Sequence, residues 1–130
     1  MARTPMRILL VDDSSAIRER VRGKVNAIGA VEVIGEADNV PRGIDLVRKL
    51  KPDIVILDIS LPGGNGIEVL IEALDSETRS TMIVLTNHPY KAYRKICRKL
   101  GADFFFDKSR EFNRLMDILE GLAGSRTGTQ

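Results

Sequence analysis

One cysteine, Cys97, stands in a chain of 130 residues, so neither an internal disulfide nor a cysteine metal cluster can form. A reducing, cytoplasmic setting fits that usage. A strong charge of either sign is also lacking. Twenty Lys and Arg against 18 Asp and Glu leave a net charge of +2, so overall electrostatics points to neither nucleic acid nor membrane. Near the N-terminus the only apolar run is Met6 to Val11, too short for a span, and we expect neither a membrane segment nor a signal peptide. Repeats and low-complexity segments are absent. What is present is ordinary for a globular chain: 43% hydrophobic and 29% charged residues, in a length that suits one domain with a single core.

The stretch from Asp53 to Gly66 organises the rest. Ile54 to Leu57 is a continuous apolar run, which reads as a strand buried on both faces. Asp58 stands at its end. Pro62, Gly63, Gly64, Asn65 and Gly66 follow, where the backbone must turn sharply or take positive φ. The same grammar recurs along the chain. Met6 to Val11 reads as a strand, followed by a helix with Ile17, Val21, Val25 and Ile28 on one face, capped by Asp13 or Ser14 and stopped at Gly29. Val31 to Ala37 is a second strand, and its helix starts at Asn39 and Pro41. Thr81 to Thr86 is a fourth strand, with a helix from about Pro89 to Leu100. Asp103 to Asp107 is a fifth, with a last helix from Arg110 to Leu122. Five βα units predict an α/β fold: a doubly wound, flavodoxin-like parallel sheet of five strands in the order 2-1-3-4-5. Residues 6–123 would form the domain, between a flexible N-terminus at 1–5 and a flexible tail at 124–130.

Strand ends then collect polar residues on one sheet edge. Asp12 and Asp13 end the first strand, Asp58 the third, Thr86 the fourth, and Lys108 follows the fifth. In that strand order the first and third strands are neighbours at the switch point, where ligands bind. Three carboxylates facing one another repel by several kcal/mol at an effective dielectric of about 20. Lys108 supplies one neutralising charge, and a divalent cation would supply the rest. An oxygen-only donor set favours Mg²⁺ over zinc. Each signal is weak alone, since an Asp after a strand is commonly a helix cap; their coincidence on one edge is what carries weight.

These residues resemble the receiver domain of two-component response regulators, over about Met6 to Leu122. The resemblance rests on Val11-Asp12-Asp13, on Leu57-Asp58 with Pro62 and Gly66 behind it, on Leu85-Thr86 and on Asp107-Lys108. It implies that Asp58 accepts a phosphoryl group from the phosphohistidine of a sensor histidine kinase or a histidine phosphotransfer domain. It implies that Asp13, Asp58 and the Ser60 carbonyl hold Mg²⁺ directly, with Asp12 acting mainly through bound water. Thr86 would bond a phosphoryl oxygen, and Lys108 would pair with the phosphate. Such a domain catalyses only its own modification. The rival readings are a pseudo-receiver that acts as an interaction module without phosphorylation, and a small flavin-binding protein; the acid cluster argues against both.

Three positions depart from the family pattern. Ser109 follows Lys108 where proline in a cis linkage is common, and without proline a cis bond costs about 2.5–4 kcal/mol. Asn87 follows the switch threonine, where a smaller residue is usual. Phe105 takes the place of the switch aromatic, often Tyr, so a switch there rests on packing alone. On the fourth helix, Lys91, Arg94, Lys95, Arg98 and Lys99 form a basic stripe, with Tyr90, Tyr93, Ile96, Cys97 and Leu100 toward the other side. The stripe reads as a solvated face, as a docking face for an acidic partner, or as the contact of a phosphorylation-dependent homodimer using strand-five and helix-five acids. No motif supports direct nucleic-acid binding. Cys97 is expected to be a structural or half-exposed thiol. The downstream target is left unassigned.

Overall fold

The computed structural model describes residues 4–75 and 79–127, with side chains described as far as Gly124. The expected flexible residues 1–3 and 128–130 lie outside the described residues. The elements are β1 (Met6–Val11), α1 (Ser15–Ile28), β2 (Val31–Ala37), α2 (Val40–Leu50), β3 (Ile54–Leu57), α3 (Ile67–Asp75), β4 (Thr81–Thr86), α4 (Lys91–Leu100), β5 (Phe104–Asp107) and α5 (Phe112–Thr127). All strand pairs are parallel and the sheet order is β2-β1-β3-β4-β5. The doubly wound, flavodoxin-like α/β fold is the observed one.

Local chemistry sets the helix ends. The Ser14 hydroxyl accepts the Ile17 N–H, and the Asn39 amide oxygen accepts the Arg42 N–H, each satisfying a first-turn donor. Gly29 closes α1 at φ 83°, the left-handed cap that glycine takes without a Cβ penalty. Alternation along the strands then builds two cores. Leu9, Val11, Val55, Leu57, Met82 and Val84 point to α2, α3 and α4. Ile8, Leu10, Ile54, Ile56, Ile83 and Leu85 point to α1 and α5, joined by Phe106, Leu115 and Leu119.

Several boundaries differ from the sequence reading. α4 starts at Lys91 and not at Pro89, because Tyr90 is extended (φ −65°, ψ 143°) and no side chain caps the helix. β5 starts at Phe104; the Asp103 carboxylate instead accepts the Met82 N–H at 2.8 Å. α5 continues to Thr127, five residues past the expected Leu122, so 124–127 are helical where a flexible tail was expected. Ala123, buried in the α1–α5 core, anchors that extra length.

Register places the polar edge. Val11 pairs with Leu57, so the residues that follow them, Asp12 and Asp58, emerge side by side. Thr86 pairs with Asp107, which brings Lys108 next to the end of β4. The chain turns back under this edge through Gly66, whose close approach to Ile59 leaves no room for a side chain: a Cβ would lie 2.4 Å from Ile59 Cα.

Candidate functional site

Asp12, Asp58, Thr86 and Lys108 are each at most 5% exposed, although they lie at strand ends, and Asp13 is exposed. Lys108 Nζ lies 2.7 Å from Asp12 Oδ2 and 2.8 Å from Asp58 Oδ2. The other oxygen of each carboxylate is held by backbone: the Ser14 N–H donates to Asp12 Oδ1 at 2.8 Å, and the Ser60 N–H donates to Asp58 Oδ1 at 2.9 Å. These turns fix both carboxylates in place before anything binds. Asp12, Asp13 and Asp58 each offer an oxygen within 4.8 Å of the others. Hard oxygen donors so arranged, with more negative charge than one ammonium balances, fit a hydrated divalent cation such as Mg²⁺.

Electrostatics at this edge are finely opposed. Burial pushes the Asp12 carboxyl up, while the hydrogen bonds from Lys108 and the Ser14 N–H pull it down; the net direction is up. Burial works against the Lys108 ammonium, but its hydrogen bonds to Asp12 and Asp58 outweigh it, and the amine is raised. Lys108 therefore stays charged as the counter-ion of the pair.

Thr86 is fully buried, and its Oγ1 accepts the His88 N–H at 3.1 Å. Its hydroxyl proton is not committed by that bond. Lys108 is set by its own N–H, which bonds the Thr86 carbonyl at 2.8 Å. No peptide bond among the described residues is cis. Ser109, which departs from the family's common proline after the lysine, donates both its N–H and its hydroxyl to Asp107 Oδ1, at 3.0 and 2.9 Å. Beside the acid cluster, Ile59, Ser60, Asn65, His88, Tyr90 and Tyr93 line a cleft of about 430 Å³. The His88, Tyr90 and Tyr93 rings follow one another at 5.8 and 5.6 Å. Sequence reading missed this aromatic wall, because Tyr90 and Tyr93 carry no pattern that sets them apart from core residues.

The sequence reading also missed Arg18. Its guanidinium donates to the Asp12 carbonyl at 2.6 Å and to Glu36 at 2.9 Å, fixing the start of α1 against the end of β2. No spacing rule links positions 12, 18 and 36.

The expected basic stripe is divided. Arg94 is half-buried, with its guanidinium over the Phe105 ring at 4.7 Å and a hydrogen bond to the Phe105 carbonyl at 3.4 Å. Lys91, Lys95, Arg98 and Lys99 are exposed. The apolar side of α4 is left largely uncovered: Tyr93, Ile96 and Leu100 are 37%, 43% and 40% exposed. Only Cys97 on this helix is buried, fully so, and burial pushes its thiol up. It is a core thiol and not a half-exposed one.

Comparison with known proteins agrees with the geometry. The response regulator receiver domain matches residues 8–120. The chain is 31% identical over 119 residues to the nitrate/nitrite response regulator protein NarL of Escherichia coli K12, covering 92% of this chain and 55% of that protein. It is 33% identical over 125 residues to protein-glutamate methylesterase/protein-glutamine glutaminase 2 of Koribacter versatilis, covering 95% of this chain and 34% of that protein. The chain thus spans about half or less of these curated relatives. Among solved structures, the response regulator domain of Thermotoga maritima CheB superposes with a TM-score of 0.80 at 22% identity, covering 97% of this chain and 98% of that one, a likeness of fold. A LuxR-family two-component response regulator from Aurantimonas gives 0.74 at 28% identity, covering 91% and 87%. With five βα units in the order 2-1-3-4-5 and an acid cluster at the switch point, the chain belongs to the response regulator receiver domain family.

Proposed function

We propose that this receiver domain takes a phosphoryl group onto Asp58 from the phosphohistidine of a sensor histidine kinase or a histidine phosphotransfer domain. The observation that carries the reading is the Asp58 carboxylate itself. It is held by the Ser60 N–H on one oxygen and by Lys108 on the other, with Asp12 and Asp13 alongside. A carboxylate so fixed needs little reorganisation to attack. An Asp58 oxygen forms the new P–O bond as the P–N bond to the donor imidazole breaks, and the imidazole leaves with that electron pair. Lys108 turns its charge toward the incoming phosphoryl oxygens. The Thr86 hydroxyl donates its free proton to one of them, and loop N–H groups supply further donors.

Mg²⁺ held by Asp13, Asp58 and the Ser60 carbonyl, with Asp12 acting through water, would neutralise the crowded carboxylates and the phosphoryl charge. The acyl phosphate is open to hydrolysis, so the modification is transient, and the domain's catalysis is confined to itself. In this reading Thr86 and Phe105 form the switch that reports to the α4–β5–α5 face, in a cytoplasmic phosphorelay. The test is intact mass after acetyl phosphate with Mg²⁺. One added phosphoryl group on the wild type, absent in Asp58→Asn, is the expected result. An unmodified wild type, or modification that persists in Asp58→Asn, overturns the assignment.

A further inference from the structure

The geometry points to the groove between α3 and α4 as a docking site for an acidic amphipathic helix of a protein partner. This goes beyond the phosphoacceptor reading and concerns a different flank from the α4–β5–α5 face.

Among the described residues the large exposed hydrophobics are Ile71, Tyr90, Tyr93, Ile96 and Leu100, all on α3, on α4 or at the turn before α4. That clustering is not the scatter of single apolar residues an ordinary surface shows. Helical spacing explains the placement. Arg94 lies on the β5 side of α4, over Phe105, while Tyr93, Ile96 and Leu100 turn the opposite way. Leu100 lines a depression of about 190 Å³ with Ile71, Leu74 and Asp75 of α3, and Tyr93 borders the larger cleft at the other end. The stripe from Tyr93 to Leu100 spans about 10 Å along the helix axis at 1.5 Å of rise per residue, which suits two turns of an apposed helix.

Charge selects the occupant. α4 carries five cations and no acid. Among the described residues no carboxylate pairs with Lys95 or Lys99, which flank the apolar stripe on its outer side. On the α3 rim, Glu72 is held by Arg48 at 3.0 Å and Glu68 accepts the Asn65 N–H at 2.9 Å. Asp75 is the acid left to the groove. A second copy of this chain docked here would set two basic α4 rims against each other with little acid to offset them. A helix with apolar residues at i, i+3 and i+7 and acids beside them matches both the stripe and its rim.

The test is a titration of the ¹⁵N-labelled full chain with a synthetic helical peptide of about three turns, leucines at that spacing and glutamates between. Amide shifts centred on Ile71, Tyr93, Ile96 and Leu100 are expected, with affinity falling as salt rises. Ile96→Glu, and separately Lys95→Glu with Lys99→Glu, should each weaken binding by about tenfold or more, and Lys24→Glu on α1 should leave it unchanged. Circular dichroism of each variant establishes that it is folded. The proposal is overturned if no shifts appear, if they centre on β5 and α5, or if a peptide with lysines in place of the glutamates binds equally. Tighter binding to phosphatidylserine vesicles than to the peptide overturns it in favour of a membrane. Self-association that Ile96→Glu abolishes overturns it in favour of a dimer. The titration needs no phosphoryl group, so its failure leaves the Asp58 reading standing, and the mass experiment leaves this one standing.

Discussion

Lys108 Nζ and Asp58 Oδ2 lie 2.8 Å apart, both almost wholly buried, and the same ammonium reaches Asp12 at 2.7 Å. One cation therefore serves two buried carboxylates. Removing it leaves both without a counter-charge in a site they cannot leave.

Lys108→Met should accordingly lower stability by up to about 3–5 kcal/mol, the range for breaking a buried pair from one side. Urea denaturation measures it. Added Mg²⁺ should restore more stability to the variant than it adds to the wild type, since the cluster then has no other cation. Equal Mg²⁺ effects in the two proteins would show that Lys108 is not the cluster's counter-ion.

Asp13 is the exposed member of the acid cluster. Asp13→Asn removes one of three mutually repelling charges and no core contact. Without Mg²⁺ its stability should match or exceed that of the wild type. With Mg²⁺ at ten times the wild-type Kd, the wild type gains about 1.4 kcal/mol and the variant a small fraction of that. Thermal melts with and without the ion give both numbers. An undiminished Mg²⁺ shift in the variant would remove Asp13 from the ligand set.

Gly66 lies where a Cβ would meet Ile59 Cα at 2.4 Å and Ile59 O at 2.7 Å, and its N–H bonds the Ile59 carbonyl at 3.0 Å. Neither atom belongs to a flexible side chain, so the loop beyond Asp58 must shift to admit a methyl group. Gly66→Ala should cost about 1–3 kcal/mol and slow phosphorylation of Asp58. Gly121→Ala, where nothing lies within 4 Å of the added carbon, is the control and should be neutral or slightly stabilising.

Glu111 Oε1 accepts the Asp107 N–H at 2.9 Å and Oε2 pairs with Arg114 at 2.9 Å; these hold its carboxyl below the ordinary value of 4.5. A carboxyl lowered in the fold contributes stability that is present above its unfolded value and is lost as pH falls through the folded one. Stability should therefore drop with acid below pH 4.5, and Glu111→Gln should flatten part of that slope. A slope unchanged in the variant would mean that the bond to Asp107 does not persist in solution.

Much of this was legible in the chain. Apolar runs of the strand kind, separated by helical spacing, lay out five βα units, and the ends of the first, third, fourth and fifth strands carry polar residues in sequence, so Asp12, Asp13, Asp58, Thr86 and Lys108 could be set on one edge before any contact was known. Those signals are local, since period, cap and turn all act within a few residues. What tertiary structure alone decided is nonlocal. Ala123 carries α5 to Thr127 because it meets the α1–α5 core, against the poor helix formers that follow it. Arg18 ties Asp12 to Glu36 across two elements, and Arg94 leaves the basic stripe for the Phe105 ring. The apolar side of α4 has the periodicity of a buried face, yet only Cys97 reaches the core. Periodicity says which residues share a face; whether a neighbour covers that face depends on how α3 and α4 are placed on the sheet, and no spacing within either helix encodes it.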